Sequence, residues 1–344
     1  MAEVFGSGHQ RINPITALGC LICLFSGMEA TAQSTQGTQQ AEKIIIDTDI
    51  GDDIDDAFAV ALALRSPEFN ILGITTAYGD AEATEARAHI LDRMLGEAGR
   101  TEIPVAVGVQ SPFPEWYTHA LSQRRYGEGG HFTHPTHPNA VEFILEQIRR
   151  YPGQITLVTI APLPNIAAVI DKDLTTFRKL KRIVMMGGNI APIKSDYSNE
   201  PARGPSPEWN IMMDVPAAQK VFDSGVPLYV MPLDATFHLK LDDVKRNMIF
   251  AHGNALTDAL TLLYHQWAAY DIGGSGWEAP VLHDSLTLAF LLQPALCPVK
   301  PMRIRVDDKG VTRVEAGQPN ANVCLHSDAD GFLRLHMHRL LDRY

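Results

Sequence analysis

The sequence predicts an α/β fold: a mainly parallel (mixed) central sheet with helices on both faces. Short apolar runs rich in β-branched residues alternate with helical patterns along most of the chain, which is the alternation that builds a parallel sheet. The first run, Ile44-Ile45-Ile46, is apolar throughout, as strands buried on both faces are. Six aspartates then crowd into residues 43–57, KIIIDTDIGDDIDDA. Open α/β sheets place their ligands at the carboxyl ends of their strands.

Taken in order, the strand at 44–46 hands over to a helical pattern at Ala57, Phe58, Val60, Ala61 and Leu64. Apolar β-rich runs place further strands at 71–76, 104–107, 155–160, 182–186, 227–231 and 302–306. Apolar residues at helical spacing place helices at 81–95, 140–151, 166–170, 215–223, 241–248, 255–270 and 286–292. The irregular stretches 111–139 and 189–208 are long enough to be functional rather than mere connectors. No internal repeat and no interdomain linker stands out.

The first forty residues are of another class. Arg11 precedes an apolar stretch at 15–25, and Ala30-Thr31-Ala32 follows. That is the layout of a secretory signal peptide over residues 1–32, cleaved after Ala32. The apolar stretch is short for a bilayer span, and an uncleaved anchor is the alternative. Cys20 lies inside the apolar segment, which argues against a lipoprotein. Residues 33–42 are a polar, flexible leader, and residues 43–344 form one domain. The expected location is secreted or periplasmic, with no stable membrane insertion after cleavage.

The chain of 344 residues carries a net charge of −11. That excludes general electrostatic affinity for nucleic acid or anionic membrane. Removing the signal leaves Cys297 and Cys324. They could pair in an oxidising compartment, but spacing alone leaves this open.

The acidic cluster carries the chemistry. So many anions at one strand end repel unless a cation sits among them. Oxygen ligands favour a hard metal, Ca²⁺ or Mg²⁺, over zinc. An acidic helix start would account for Asp53 and Asp55, but not for Asp47 and Asp49 directly at the strand end. Four further stations follow strands or open helices. Ala161-Pro162-Leu163-Pro164-Asn165 offers carbonyls near prolines, which lack a donor, or simply a strand-to-helix turn. Gly187-Gly188 in Met185–Asn189 permits close backbone approach to a ligand. Glu208 and Asn210, two apart, suit sugar hydroxyls. His283-Asp284 opens a helix and sets an acid near neutral pH beside a possible metal ligand, or is a helix cap.

In this order the stations resemble the inosine–uridine-preferring nucleoside hydrolase family. The likeness runs along nearly the whole chain after residue 43. It links DTDIGDDIDDA with GITTAYGD at 73–80, APLPNIA at 161–167, MMGGN at 185–189, EWNIMMD at 208–214, PLDAT at 232–236 and HDSLTLAFL at 283–291. The resemblance implies a single catalytic domain of the nucleoside hydrolase fold holding one Ca²⁺. Its reaction is hydrolysis of the N-glycosidic bond of ribonucleosides to base and ribose, and it is a homodimer or homotetramer. Carried over, Asp49 is metal ligand and general base. Asp56, the Pro164 carbonyl and Asp284 complete the metal ligands. Asp55, Glu208 and Asn210 bind ribose hydroxyls, Met186 lies along the sugar, and His283 protonates or hydrogen-bonds the leaving base.

The chain departs from the family pattern in places. Ile50 stands where proline is usual and two extra residues follow, so either Asp53 or Asp55 takes the ribose role. Pro164 replaces threonine, Asp80 replaces asparagine and adds charge near the pocket, and Phe237 replaces histidine. Asn199 is a candidate for a further ribose contact. Trp116, Trp277 and Tyr270 could stack on a base or pack in loops and core.

Two rival readings remain at this stage. A haloacid-dehalogenase-like phosphatase would use Asp47 as nucleophile and Mg²⁺ as metal, but has no need of His283-Asp284. A secreted nucleoside- or sugar-binding protein without turnover would keep the pocket alone.

Overall fold

The structure, a computed structural model, describes residues 40–111, 113–117, 121–128, 134, 136–193, 204–271 and 279–342. The expected signal peptide, nearly all of the leader, His119, Asn199 and Trp277 lie outside these residues.

Among the described residues nine strands form one sheet: β1 (Glu42–Thr48), β2 (Phe69–Thr76), β3 (Val105–Ala106), β4 (Ile155–Ile160), β5 (Arg182–Met186), β6 (Leu228–Met231), β7 (Val299–Val306), β8 (Thr312–Glu315) and β9 (Ala321–Cys324). The first six helices are α1 (Asp55–Leu64), α2 (Ala81–Glu97), α3 (Arg124–Glu128), α4 (Ala140–Arg150), α5 (Pro164–Phe177) and α6 (Trp209–Met212). They are followed by α7 (Val215–Phe222), α8 (Leu233–Thr236), α9 (Asp243–Phe250), α10 (Ala255–Asp271), α11 (Ser285–Leu292) and α12 (Ala329–Leu341).

The spatial strand order is β3-β2-β1-β4-β5-β6-β9-β7-β8. β1 through β6 and β9 are parallel, whereas β7 runs antiparallel to both β9 and β8. The expected mixed, mainly parallel sheet is what the chain forms. The order reverses between β1 and β4, because the chain leaves β1 for one edge and β4 for the other. Such a switch point opens a crevice at the strand ends.

Period-two alternation explains why Ile44-Ile45-Ile46 are all buried. Ile44 and Ile46 join a core with Phe58 of α1, Leu91 of α2, Leu288 of α11 and Phe332 of α12. Ile45 joins the opposite core with Phe143 of α4, Ile166 of α5 and Val221 of α7. Each fully buried side chain of this size contributes about 1.5–3 kcal/mol relative to exposure. Two covered faces therefore hold β1 rigidly beneath the residues that follow it.

Several boundaries differ from the sequence reading. The helix expected at 166–170 runs to Phe177, past polar residues, with non-helical backbone at Asp173 (φ −157°, ψ 76°). The helix expected at 241–248 starts at Asp243, because the Asp242 side chain caps it by accepting from Lys245 N at 2.9 Å. β8, β9 and α12 were not expected. The short strands carry little pattern, and the apolar face of α12 is interleaved with Arg334, His336 and Arg339. Cys297 and Cys324 do pair, with Cα atoms 5.6 Å apart. No helix of the described residues is long and apolar enough to cross a membrane.

Helix α2 also anchors the end of the long loop before α4. His134 Nδ1 lies 2.6 Å from Asp92 Oδ1, and His137 sits between Asp92 Oδ2 (3.1 Å) and Glu85 Oε1 (3.0 Å). The Asp92 hydrogen bond raises the His137 pKa above 6.5, against the opposing effect of burial. Burial pushes Asp92 up, but its two histidine partners outweigh this and hold it below 3.8. The stabilisation from His137 is present below its unfolded pKa and is lost as pH rises through the raised folded value. That from Asp92 is present above its unfolded pKa and is lost as pH falls through the lowered one. The melting temperature gap between wild type and His137→Gln should therefore be widest near about pH 5.5 and narrow above about pH 8. Thermal scans showing a constant gap from about pH 5 to 9 would contradict this pairing.

Candidate active site

Two helix starts converge at the crevice. Ile54 precedes α1 and makes no side-chain cap, which leaves Asp55 and Asp56 in the first turn, where the helix dipole favours anions. Asp284 precedes α11 and likewise makes no side-chain cap bond, so its carboxyl is not spent on capping. One carboxylate oxygen from each of Asp55, Asp56 and Asp284 lies within 4.8 Å of the others. All three residues are buried. The Asp284 amide donates to Asp55 Oδ2 at 3.4 Å, and the Thr48 hydroxyl donates to Asp56. Asp49, at the end of β1, faces the same cavity.

Burial is the largest cause raising each of these four carboxyls, and their mutual repulsion adds to it. Asp49 is pushed up to about 8 although Arg87 opposes the shift. Asp55, Asp56 and Asp284 are raised well above the usual carboxyl range. A cation among them would reverse both causes, and an all-oxygen donor set fits a hard divalent ion. Pro164 is buried as the first residue of α5. It does not line the cavity, so its ligand role rests on the resemblance alone.

The cavity measures about 380 Å³, ample for a small ligand. Asp49, Asp55, Asp56 and Asp284 face it on one side, and Met186, Glu208 and Asn210 also line it. Asp53 lines it too but is exposed, whereas Asp55 is buried within the carboxyl cluster. Of the ten residues to which the resemblance gives a role, the nine other than Pro164 therefore meet in one place, with His283 among them. Glu208 serves two ends. Its carboxylate caps α6 by accepting from Asn210 N (3.0 Å) and Ile211 N (3.3 Å), and it accepts from Gly188 N at 2.8 Å. Burial raises its pKa to about 7 against those bonds. Gly188 turns at φ +87°, a backbone state that glycine reaches without steric cost. Asn210 Nδ2 donates to the Met186 carbonyl at 3.3 Å.

His283 is half-buried on the cavity wall, with Nδ1 2.7 Å from the Thr236 hydroxyl. Desolvation lowers its pKa to about 4. The imidazole expected to act as an acid near neutral pH is thereby shifted toward its neutral form. The Thr236 hydroxyl also lies 3.3 Å from the Pro232 carbonyl; with its one hydrogen turned to Nδ1 instead, a neutral ring carries its own hydrogen on Nε2, where it can be donated.

Other expectations change as well. Asp47 is fully buried, bonded to Thr75 and to Asn165 Nδ2 (2.8 Å), and absent from the cavity wall. It is therefore unsuited to be the nucleophile of a phosphatase. Asp80 is exposed and caps α2 through Ala83 N (2.9 Å), so it adds no charge to the pocket wall. Trp116 is 61% exposed and Tyr270 54%. The aromatic wall is instead Tyr117 and Trp209, whose ring centroids lie 4.8 Å apart. Sequence reading passed over both. Tyr117 sat beside the larger Trp116, and Trp209 lay between Glu208 and Asn210.

A family model for inosine-uridine preferring nucleoside hydrolases matches residues 44–334. The chain belongs to the inosine-uridine preferring nucleoside hydrolase family. It is a hydrolase that cleaves N-glycosyl bonds of ribonucleosides. Among curated relatives it is 32% identical to a probable uridine nucleosidase 2 of Oryza sativa subsp. japonica, over 79% of this chain and 80% of that one. It is also 32% identical to the pyrimidine-specific ribonucleoside hydrolase RihA of Shewanella sp. (strain MR-7), over 85% and 94%. Among solved structures, a plant nucleoside hydrolase superposes with a TM-score of 0.76 at 25% identity, covering 88% of this chain and 99% of that one. A purine-preferring ribonucleoside hydrolase from Gardnerella vaginalis shares the fold, with a TM-score of 0.73 at 24% identity over 87% and 98%.

Proposed function

We propose that this nucleoside hydrolase is calcium-dependent and releases free ribose and base at the carboxylate cavity. One observation carries the reading. Buried, mutually repelling carboxyls from β1, α1 and α11 share a cavity with a neutral histidine. Asp56 and Asp284, which with Asp55 form the close carboxyl trio, would hold the ion; Asp49, on the same cavity wall, and the Pro164 carbonyl are added by the resemblance. When bound, the ion would acidify a water and grip ribose hydroxyls.

The chain's own residues then divide the work. Asp49 takes the proton of the water that attacks C1′. Asp55, Glu208 and Asn210 hold ribose hydroxyls, and the carboxylates among them stabilise the positive charge that grows on the sugar as the bond to the base breaks. Met186 packs along the sugar. His283 donates from Nε2 to the departing base, the tautomer it holds when the Thr236 hydroxyl donates to Nδ1 rather than to the Pro232 carbonyl.

The specificities named for the relatives make uridine the first substrate to test and inosine the second. Incubation in phosphate-free buffer should release equal amounts of base and reducing sugar, read by chromatography and a reducing-end assay. Release that requires added phosphate, or binding without release, would contradict the reading.

A further inference from the structure

The aspartate loop, residues 49–53, is longer than the family pattern by two residues, and its backbone is held from outside at every carbonyl. Arg87 of α2, with no exposed surface, donates to the Asp49 carbonyl and, at 2.9 Å, to the Ile50 carbonyl. The Gly51 carbonyl accepts from Gln123 N at 3.0 Å and from Ser122 Oγ at 3.3 Å. The Asp52 carbonyl accepts from Ser122 Oγ at 2.9 Å, and the Asp53 carbonyl from Gln123 Nε2 at 2.6 Å. The Asp52 carboxylate joins both holders, accepting from Arg87 Nη2 at 2.8 Å and from Leu121 N at 2.5 Å. Arg87 Nε is itself fixed on the Tyr78 carbonyl at 3.0 Å. Gly51 makes the bend at φ +118°, a backbone state that side chains resist.

We propose that Arg87, Leu121, Ser122 and Gln123 are positioning residues, a two-sided clamp that fixes Asp49 relative to Asp55 and Asp56. Five carbonyls in a row held by outside donors leave the loop one conformation. Asp49 at its start, and Asp55 and Asp56 just after its end, are then placed by that conformation together with the bonds from Thr48 to Asp56 and from the Asp284 amide to Asp55. Groups that orient ligands from behind in this way typically change metal affinity or activity by about 10–100-fold when removed.

Charge and position make opposite predictions at Arg87. As a charge alone, it repels a bound cation, and Arg87→Lys, which keeps the charge, should change nothing. As a clamp, it needs its planar fork, which lysine lacks, so Arg87→Lys should weaken the site. Gln123→Ala tests the other jaw without altering any charge.

The test rests on the calcium reading above for one of its two readouts. Calorimetric titration of each folded variant with Ca²⁺, checked by circular dichroism well below its melting temperature, gives Kd and the number of competent sites. Steady-state kinetics at saturating Ca²⁺, normalised to those sites, gives kcat and KM. The clamp predicts Kd raised about 10–100-fold and kcat lowered with KM little changed, in both variants. Wild-type Kd and kcat per competent site in both, with only the melting temperature lowered, would overturn it. If Arg87→Lys does not fold, Gln123→Ala decides alone. If the wild type binds no Ca²⁺, the calcium reading fails and kcat per folded enzyme alone decides the clamp.

Discussion

Asp49→Ala is expected to lower ribose release from nucleosides by about 10⁴-fold or more. Loss of a general base alone costs about 10²–10⁴-fold, and here the same carboxylate is proposed to hold the metal. Calorimetry should show weaker Ca²⁺ binding in the same variant. Asp56→Ala, which leaves the base in place, should weaken Ca²⁺ binding as well, and its rate should recover in part at high Ca²⁺ while that of Asp49→Ala should not. Unchanged Ca²⁺ affinity in both variants would remove these residues from the metal site. Recovery of Asp49→Ala at high Ca²⁺ would leave Asp49 a ligand but not the base.

His283→Ala should slow nucleosides with poor leaving bases by about 10²–10⁴-fold, the range for loss of a proton or hydrogen-bond donor in the transition state. A p-nitrophenyl riboside, whose leaving group needs no proton, should slow far less. The contrast follows from the geometry. His283 lines the cavity, is shifted toward its neutral form by desolvation, and has Nδ1 2.7 Å from the Thr236 hydroxyl. Thr236→Val should reproduce part of the effect when the hydroxyl donates to Nδ1, and no effect would mean that it donates to the Pro232 carbonyl instead. Equal losses on both substrates, or none, would reduce His283 to a packing residue. The donor would then have to come from elsewhere. His134 and His137 are poor candidates, being engaged with Asp92 and Glu85.

Sequence alone exposed what is local. The run Ile44-Ile45-Ile46 followed by aspartates marked a two-faced strand delivering carboxylates, because burial on both faces and charge at a strand end are visible within fifteen residues. The distant stations that complete the cavity were legible only as a series, since Glu208, Asn210 and His283 each had an equally good local explanation. Glu208 is in fact both a helix cap and part of the cavity wall. Three things depended on tertiary geometry and could not be read. Whether Trp116 or Tyr117 faces the cavity is set by how its loop folds. The lowered pKa of His283 comes from its burial in the folded cavity wall. Arg87 reads as an ordinary helix-surface arginine until α2 is seen to pack beneath a loop more than thirty residues earlier.

The most direct test of calcium-dependent hydrolysis at this cavity is ribose release from uridine and inosine by enzyme stripped with a chelator and then resupplied with metal. The account predicts that stripping abolishes release, that Ca²⁺ restores it, and that Asp284→Ala is not restored at the same Ca²⁺ concentration. Full activity in the stripped enzyme, with no response to added Ca²⁺, would contradict it.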